Sequence, residues 1–184
     1  MGVEEFMRVA EAALQGALEA LLKNVQELDD LPRPLFKAVM ERVRERGKEL
    51  FPPIPLGGGA ALRGEVAVSA SVFRQPDGGE SKRLILGLSL EKGGDETPRI
   101  FLMDVVFRLR PQDLREPTRK VLSQLNPETP KEALRVVEAL EAWAERARGL
   151  LREVEAEYAA ALEREKEALE VLRLRAAIRG LAEE

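Results

Sequence analysis

The chain has 184 residues, of which 45% are hydrophobic, 34% are charged and only 4% are aromatic. This composition excludes wholesale disorder and predicts a core built mainly of Leu, Val and Ala. Cysteine and histidine are both absent, which excludes disulfides, thiolate nucleophiles, imidazole bases and the usual zinc, copper and haem ligands. The formal net charge of -4 gives no long-range attraction for nucleic acid or for an anionic membrane.

The first residues, MGVEEFMRVAEAAL, do not resemble a secretory signal, because they lack a basic stretch followed by an apolar run. No window is apolar over the ~18 residues that a membrane span requires. We therefore expect a cytoplasmic protein that binds neither membranes nor nucleic acid. Few asparagines, many Glu and Arg residues and proline-punctuated loops are typical of a thermophile, although genome base bias gives the same pattern.

Two amphipathic helices are predicted at the N-terminus. Apolar residues recur at helical spacing over residues 3 to 28. This helix should stop near Asp29 and Asp30, because the prolines that follow disfavour helical geometry just before themselves. A second helix is predicted from about Pro34 to Leu50, with its apolar residues again on one face.

The stretch FPPIPLGGG, residues 51 to 59, is the clearest break in the chain, since prolines followed by three glycines cannot continue a helix. We interpret it as a connector and divide the chain there. The predicted units are N-terminal helices over 1–56, a β-meander over 57–111 and C-terminal helices over 112–184. The first and last units are expected to pack together as one cooperative domain.

Three segments with β character follow: GEVAVSASVFR, KRLILGLSLEK and RIFLMDVVFRLR. The alternation of the second segment places four leucines on one face: Leu84, Leu86, Leu88 and Leu90. The connections QPDGGES and KGGDETP are rich in turn-forming residues and short enough for hairpins. We predict a three-stranded antiparallel meander whose leucine face packs on the helices or on a second copy of the sheet.

A short helix over about 112 to 125 is predicted to precede a long one. Thr129, Pro130 and Glu132 have the spacing of a helix start with a capping box. No proline interrupts the chain from there to about Arg179, and the apolar residues lie close to a heptad seam. The seam residues are Leu134, Val137, Leu140, Ala144, Ala147, Leu151, Val154 and Tyr158.

Beyond Tyr158 the seam continues with a shift of one position as Leu162, Leu169, Leu172 and Ala176. The long helix is therefore coiled-coil-like without a strict supercoil. Gly149 is the candidate break at which it would fold back as a helical hairpin, and continuity is the favoured interpretation. The complete prediction is an α+β fold with an N-terminal helical pair, a three-stranded meander and this long C-terminal helix.

Two acidic features could carry chemistry. Gly93–Glu96 spells GGDE, which resembles four residues of the metal- and nucleotide-binding hairpin of diguanylate cyclases, but Thr97 replaces the aromatic residue that follows in that family. We favour a glycine-rich turn that solubilises a hairpin tip. Asp104 lies among apolar residues of a predicted strand. We favour a position on the exposed face; a buried carboxylate would need a partner or a raised pKa.

The length of the apolar seam and the missing catalytic residue types favour a non-enzymatic protein–protein interaction or assembly protein, similar in architecture to prefoldin-like chaperones. It would self-associate through its long helices, with a dimer as the first expectation, and present the small sheet to an unknown protein partner. No metal or cofactor is expected. The predicted interaction residues are Trp143, Leu151, Val154, Tyr158, Leu162, Leu169 and Leu172.

Two further functional interpretations stay open at this point. A Mg²⁺ or nucleotide-binding protein, or a carboxylate-dependent enzyme, would use the Gly93–Glu96 hairpin. A nucleic-acid accessory role is the weakest alternative, because glutamates surround the arginines of the long helix.

The role of Trp143 is also open. Core packing is the usual role of a tryptophan, whereas an exposed Trp143 would indicate a partner contact.

Overall fold

The structure is a computed structural model that describes residues 2–68, 73–74, 80–92, 100–104, 110–126 and 128–183. Its described part contains four α-helices, a four-stranded antiparallel sheet and a separate antiparallel pair of short strands. The helices are α1 (Val3–Asp29), α2 (Arg33–Arg46), α3 (Arg115–Leu122) and α4 (Pro130–Glu183). The strands are β1 (Ile54–Pro55), β2 (Ala60–Val68), β3 (Phe73–Arg74), β4 (Glu80–Ser81), β5 (Leu84–Lys92) and β6 (Ile100–Asp104). The predicted α+β fold is confirmed.

The main sheet has the strand order β1-β2-β5-β6, and every pair is antiparallel. Strands β2 and β5 pair along nine residues, from Ala60 opposite Lys92 to Val68 opposite Leu84. The predicted three-strand meander is therefore present as β2, β5 and β6. Strand β2 begins before the predicted segment, because Ala60 and Leu62 extend the same buried alternation.

The proline and glycine stretch contributes to the sheet as well as connecting it to the helices. Ile54 and Pro55 form the short edge strand β1 against β2, an addition to the predicted meander. Gly57–Gly59 forms a single 3-10 turn, and the Leu56 amide donates to the Ala60 carbonyl oxygen over 2.7 Å. The division of the chain into three units stays a prediction.

The core lies between one face of the sheet and the helices. The predicted leucine face is confirmed, since Leu84, Leu86, Leu88 and Leu90 are all 2% exposed or less. One stripe of α1 covers this region at helical spacing. Its buried residues are Phe6, Ala10, Leu14, Ala17, Leu18, Leu21, Leu22, Val25 and Leu28.

The end of α1 is attached to the start of β5 through one carboxylate. Helix α1 stops at Asp29, as the sequence predicts. Asp29 accepts hydrogen bonds from Arg83 Nε over 2.9 Å and from the Leu84 amide over 2.8 Å. Because charge-assisted bonds of this kind are stronger than neutral ones, Asp29 fixes where the helix meets the sheet.

Helix α4 runs through Gly149 without interruption for 54 residues, so the favoured continuity is confirmed. Its buried stripe differs from the predicted seam, because Leu134 is 58% exposed. Doubled apolar residues at 133–134, 136–137 and 150–151 offer two stripes one position apart, and the fold uses the one that includes Trp143. The buried residues are Ala133, Val136, Leu140, Trp143, Ala144, Ala147, Leu150 and Val154.

Trp143 is the point at which α4 meets the sheet. Its ring stacks on Phe51 with 5.1 Å between centroids and 29° between planes. The indole Nε1 donates to the Pro52 carbonyl oxygen over 3.0 Å, so the polar atom of this buried side chain has a partner. A methyl group at Gly64 on β2 would lie 2.7 Å from Trp143 Cζ3. The close packing of α4 on the sheet therefore requires glycine at this position.

We predict that Gly64→Ala destabilises the fold by about 1–3 kcal/mol, because the added methyl group overpacks the site. Chemical denaturation of wild type, Gly64→Ala, Trp143→Phe and the double variant would measure the coupling. Phenylalanine lacks the outer ring atoms that the methyl group would strike, so the double variant should lose less stability than the two single losses combined. Additive losses would contradict this account of the contact.

We predict that Gly149→Ala raises the free energy of unfolding by about 0.5–1 kcal/mol, because alanine has the higher helix propensity. A methyl group there meets nothing within 4 Å. Gly16→Ala on α1 is the matched control, since a methyl group at that position is equally unobstructed. A loss of stability confined to Gly149→Ala in calorimetry would indicate that α4 is broken there.

Candidate functional site

The second half of α4 projects from the body of the protein. Residues 155–181 are all exposed, whereas Val154 is 1% exposed. We call residues 158–181 the distal segment; it spans about 36 Å at 1.5 Å per residue. Its large apolar side chains are 40–72% exposed: Tyr158, Leu162, Leu169, Val171, Leu172, Leu174, Ile178 and Leu181.

The distal segment carries apolar residues on two sides. Successive residues of an α-helix turn by about 100°, which places Tyr158, Leu162, Leu169 and Leu172 together on what we call the first stripe. The second stripe lies on roughly the opposite side and consists of Val171, Leu174 and Ile178.

The first stripe continues the face that is buried earlier in the same helix. Val154 and Tyr158 are one turn apart on α4, yet the first is buried and the second is 40% exposed. The apolar pattern of α4 therefore continues past this point, but the described part of the same chain no longer covers it.

The seven residues predicted for interaction are divided between the core and the projecting helix. Trp143 and Val154 are buried within their own chain, and Leu151 packs partly against the same core. For Trp143 this is the core-packing role. Four residues lie on the first stripe: Tyr158, Leu162, Leu169 and Leu172. Their contact with a partner stays a prediction.

A series of polar contacts fixes the base of the projecting helix. Arg135 donates to the Pro55 carbonyl oxygen over 2.6 Å, and Arg146 donates to the Leu50 carbonyl oxygen over 3.4 Å. Farther along α4 the contacts are ion pairs with α2: Arg46 with Glu153 over 3.2 Å, Arg42 with Glu153 over 3.1 Å, and Arg42 with Glu157. From Arg135 to Glu157 along α4 the partner residues change from Pro55 to Arg42. The segment 42–55 therefore runs antiparallel to α4.

The ion pairs shift the pKa values of their members. Hydrogen bonding from Arg42 is the main cause that lowers the pKa of Glu153 below its ordinary value, opposed by partial burial and helped by the charge of Arg46. The pKa of Arg42 is raised, chiefly by its hydrogen bond to Glu157. Charged Glu153 therefore stabilises the attachment of α2 to α4.

We predict that this contribution disappears in acid. Because the folded-state pKa of Glu153 lies below the ordinary value of 4.5, its stabilisation is complete above that value and is lost as the pH falls through the folded-state pKa. The side chain is 45% exposed, so the effect should stay below about 1 kcal/mol.

The test compares denaturation midpoints at about pH 6 and about pH 3. Wild type should lose more stability across this interval than Glu153→Gln. Glu141→Gln, which removes another exposed carboxylate from α4, should behave like wild type. An equal loss of stability between the two pH values in all three proteins would show that the ion pair contributes nothing.

The outer face of the sheet forms an open groove of about 520 Å³. Small side chains from β2 and β5 form its floor, which is why the groove exists. Charged Lys48, Arg63 and Glu65 border it. The lining residues on the sheet are Arg63, Gly64, Glu65, Ala67, Ile85, Gly87 and Ser89. Such a surface offers shape and mixed charge for contact with another molecule.

Neither acidic feature of the sequence can be placed in a site. Gly93–Glu96 lies outside the described residues. Asp104 ends β6 opposite Gly87 on β5, and its side chain is likewise outside the described part. Among the residues that the structure describes, acidic side chains do not gather in threes as a metal would require.

The sequence interpretation overlooked the second stripe. Its signal is nevertheless present, because Val171, Leu174 and Ile178 follow each other at steps of three and four residues. The overlap of this pattern with the first stripe concealed it. The antiparallel contacts of α4 with residues 42–55 had no comparable signal, since half of them use backbone carbonyl groups.

None of the described helices combines the length and apolarity needed to cross a membrane. Comparisons with protein-family models, curated proteins and solved structures found no match to this chain.

Proposed function

We propose that this protein is a non-enzymatic assembly protein that self-associates through the distal segment of α4 and presents the outer face of its sheet to a protein partner. A dimer is the simplest assembly. The observation that carries the proposal is the first stripe, which is exposed in the single chain although it continues a buried face.

Energetic magnitudes support a buried state for this stripe. Covering a leucine side chain contributes about 1.5–3 kcal/mol, and the first stripe holds three leucines that are each 47–60% exposed. Most helical stability in proteins comes from packing of an apolar face rather than from intrinsic propensity. Pairing with a second copy would stabilise the helix and remove an exposed apolar surface of the kind that marks interaction sites.

The groove on the sheet supports a second contact. It lies on β2 and β5, whereas the distal segment belongs to a helix that projects beyond the body. A protein partner in the groove and a second copy on the distal segment could therefore be bound by the same chain at once. The absence of histidine and cysteine from the sequence supports binding as the role of the groove, because most general-base and nucleophilic mechanisms use those residues.

We predict that Leu169→Glu weakens self-association at least about tenfold, because burying an unpaired carboxylate in the contact costs more than 1.4 kcal/mol. Leu134→Glu is a matched control: both leucines lie on α4, and they are 55% and 58% exposed. Leu134 is on the body and outside the distal segment, so its substitution should leave assembly unchanged.

Sedimentation equilibrium over a range of protein concentrations measures both variants against wild type. A wild-type protein that stays monomeric up to high micromolar concentration would contradict the proposal. So would equal weakening by the two substitutions, because that result would assign self-association to some surface other than the distal segment.

A further inference from the structure

The charges on α4 are distributed unequally along the part that projects from the body. Residues 153–170 contain seven glutamates and only two basic residues, Arg164 and Lys166. Residues 171–183, the last part of α4, contain three arginines and one acidic residue, Glu183. The helix is therefore acidic near the body and basic toward its end.

From this distribution we infer that two copies pair their distal segments antiparallel. The inference rests on the proposed self-association and gives it an orientation. A parallel, in-register pair would place arginines beside arginines and glutamates beside glutamates, which is destabilising. An antiparallel pair places the basic end of each helix beside the acidic base of the other, and complementary charge is what selects orientation between paired helices.

The first stripe defines the register of this pair. Antiparallel packing that brings Leu162 opposite Leu172 of the second copy also brings Tyr158 opposite Ala176. The large tyrosine then faces a small residue. Glu165 lies opposite Leu169 and beside Lys166 of the second copy, whose ammonium group can neutralise it. In a parallel, in-register pair the Glu165 side chains of the two copies would face each other, which places two like charges at the centre of the contact.

Cross-linking tests the orientation directly, because the chain contains no cysteine. Leu162→Cys and Leu172→Cys are oxidised separately and as a mixture, with one variant tagged so that the mixed dimer is distinguishable. An antiparallel pair should form the mixed disulfide at a yield at least about fivefold above that of either variant alone. A parallel pair should cross-link each variant to itself, which would overturn the inference. Leu134→Cys on the body is the control and should not cross-link.

Sedimentation of the same variants under reducing conditions separates the two proposals. Dimers with self-cross-links refute the orientation and leave self-association intact, whereas a wild-type protein that stays monomeric refutes both. X-ray scattering from wild type provides a measurement without substitutions. At 1.5 Å per residue, antiparallel copies paired about residue 167 must extend to about 110 Å or more, whereas parallel copies need only about the 80 Å of α4 itself. A maximum dimension near the smaller value would overturn the inference.

Discussion

The length of α4 is the constraint on which the rest of the structure depends. Its 54 residues extend about 81 Å, whereas the 27 residues of α1 extend about 40 Å. Among the described helices of the body none is longer than α1, so α1 and the sheet can cover only about half of α4. The apolar pattern of α4 nevertheless continues past this half, and a surface that the chain cannot bury by itself is the result.

The covered half of α4 is held by two kinds of contact. Trp143 packs between Phe51 and Gly64 in the core, and this arrangement fixes the rotation of the helix about its axis. The contacts of Arg135 and Arg146 with backbone carbonyl groups, and of Glu153 with α2, fix its direction. A helix anchored in both respects presents its projecting half at a defined angle, which reduces the entropy that pairing with another helix must overcome.

Much of this architecture could be predicted from local patterns. Alternation located β5 and its leucine face, and the absence of proline indicated a continuous α4 despite Gly149. Which of the two stripes of α4 is buried, the one containing Ala133 or the one containing Leu134, was not predictable, because adjacent apolar pairs fit both. The packing of Trp143 on Phe51, which is distant in sequence, selects the stripe that contains Ala133. Strand β1 was missed for a similar reason: its pairing with β2 rather than its composition makes it a strand. The exposed first stripe was recognised, but its relation to the body required the structure.

The location of the single tryptophan and single tyrosine has a consequence for spectroscopy. Trp143 is buried in the body and Tyr158 stands where the helix leaves it, so the remainder of the distal segment contains no fluorophore. Fraying of that segment would reduce the helical circular dichroism signal while the indole emission of the body stayed constant. Local opening and global unfolding would thus be separated by two optical signals from one unlabelled chain.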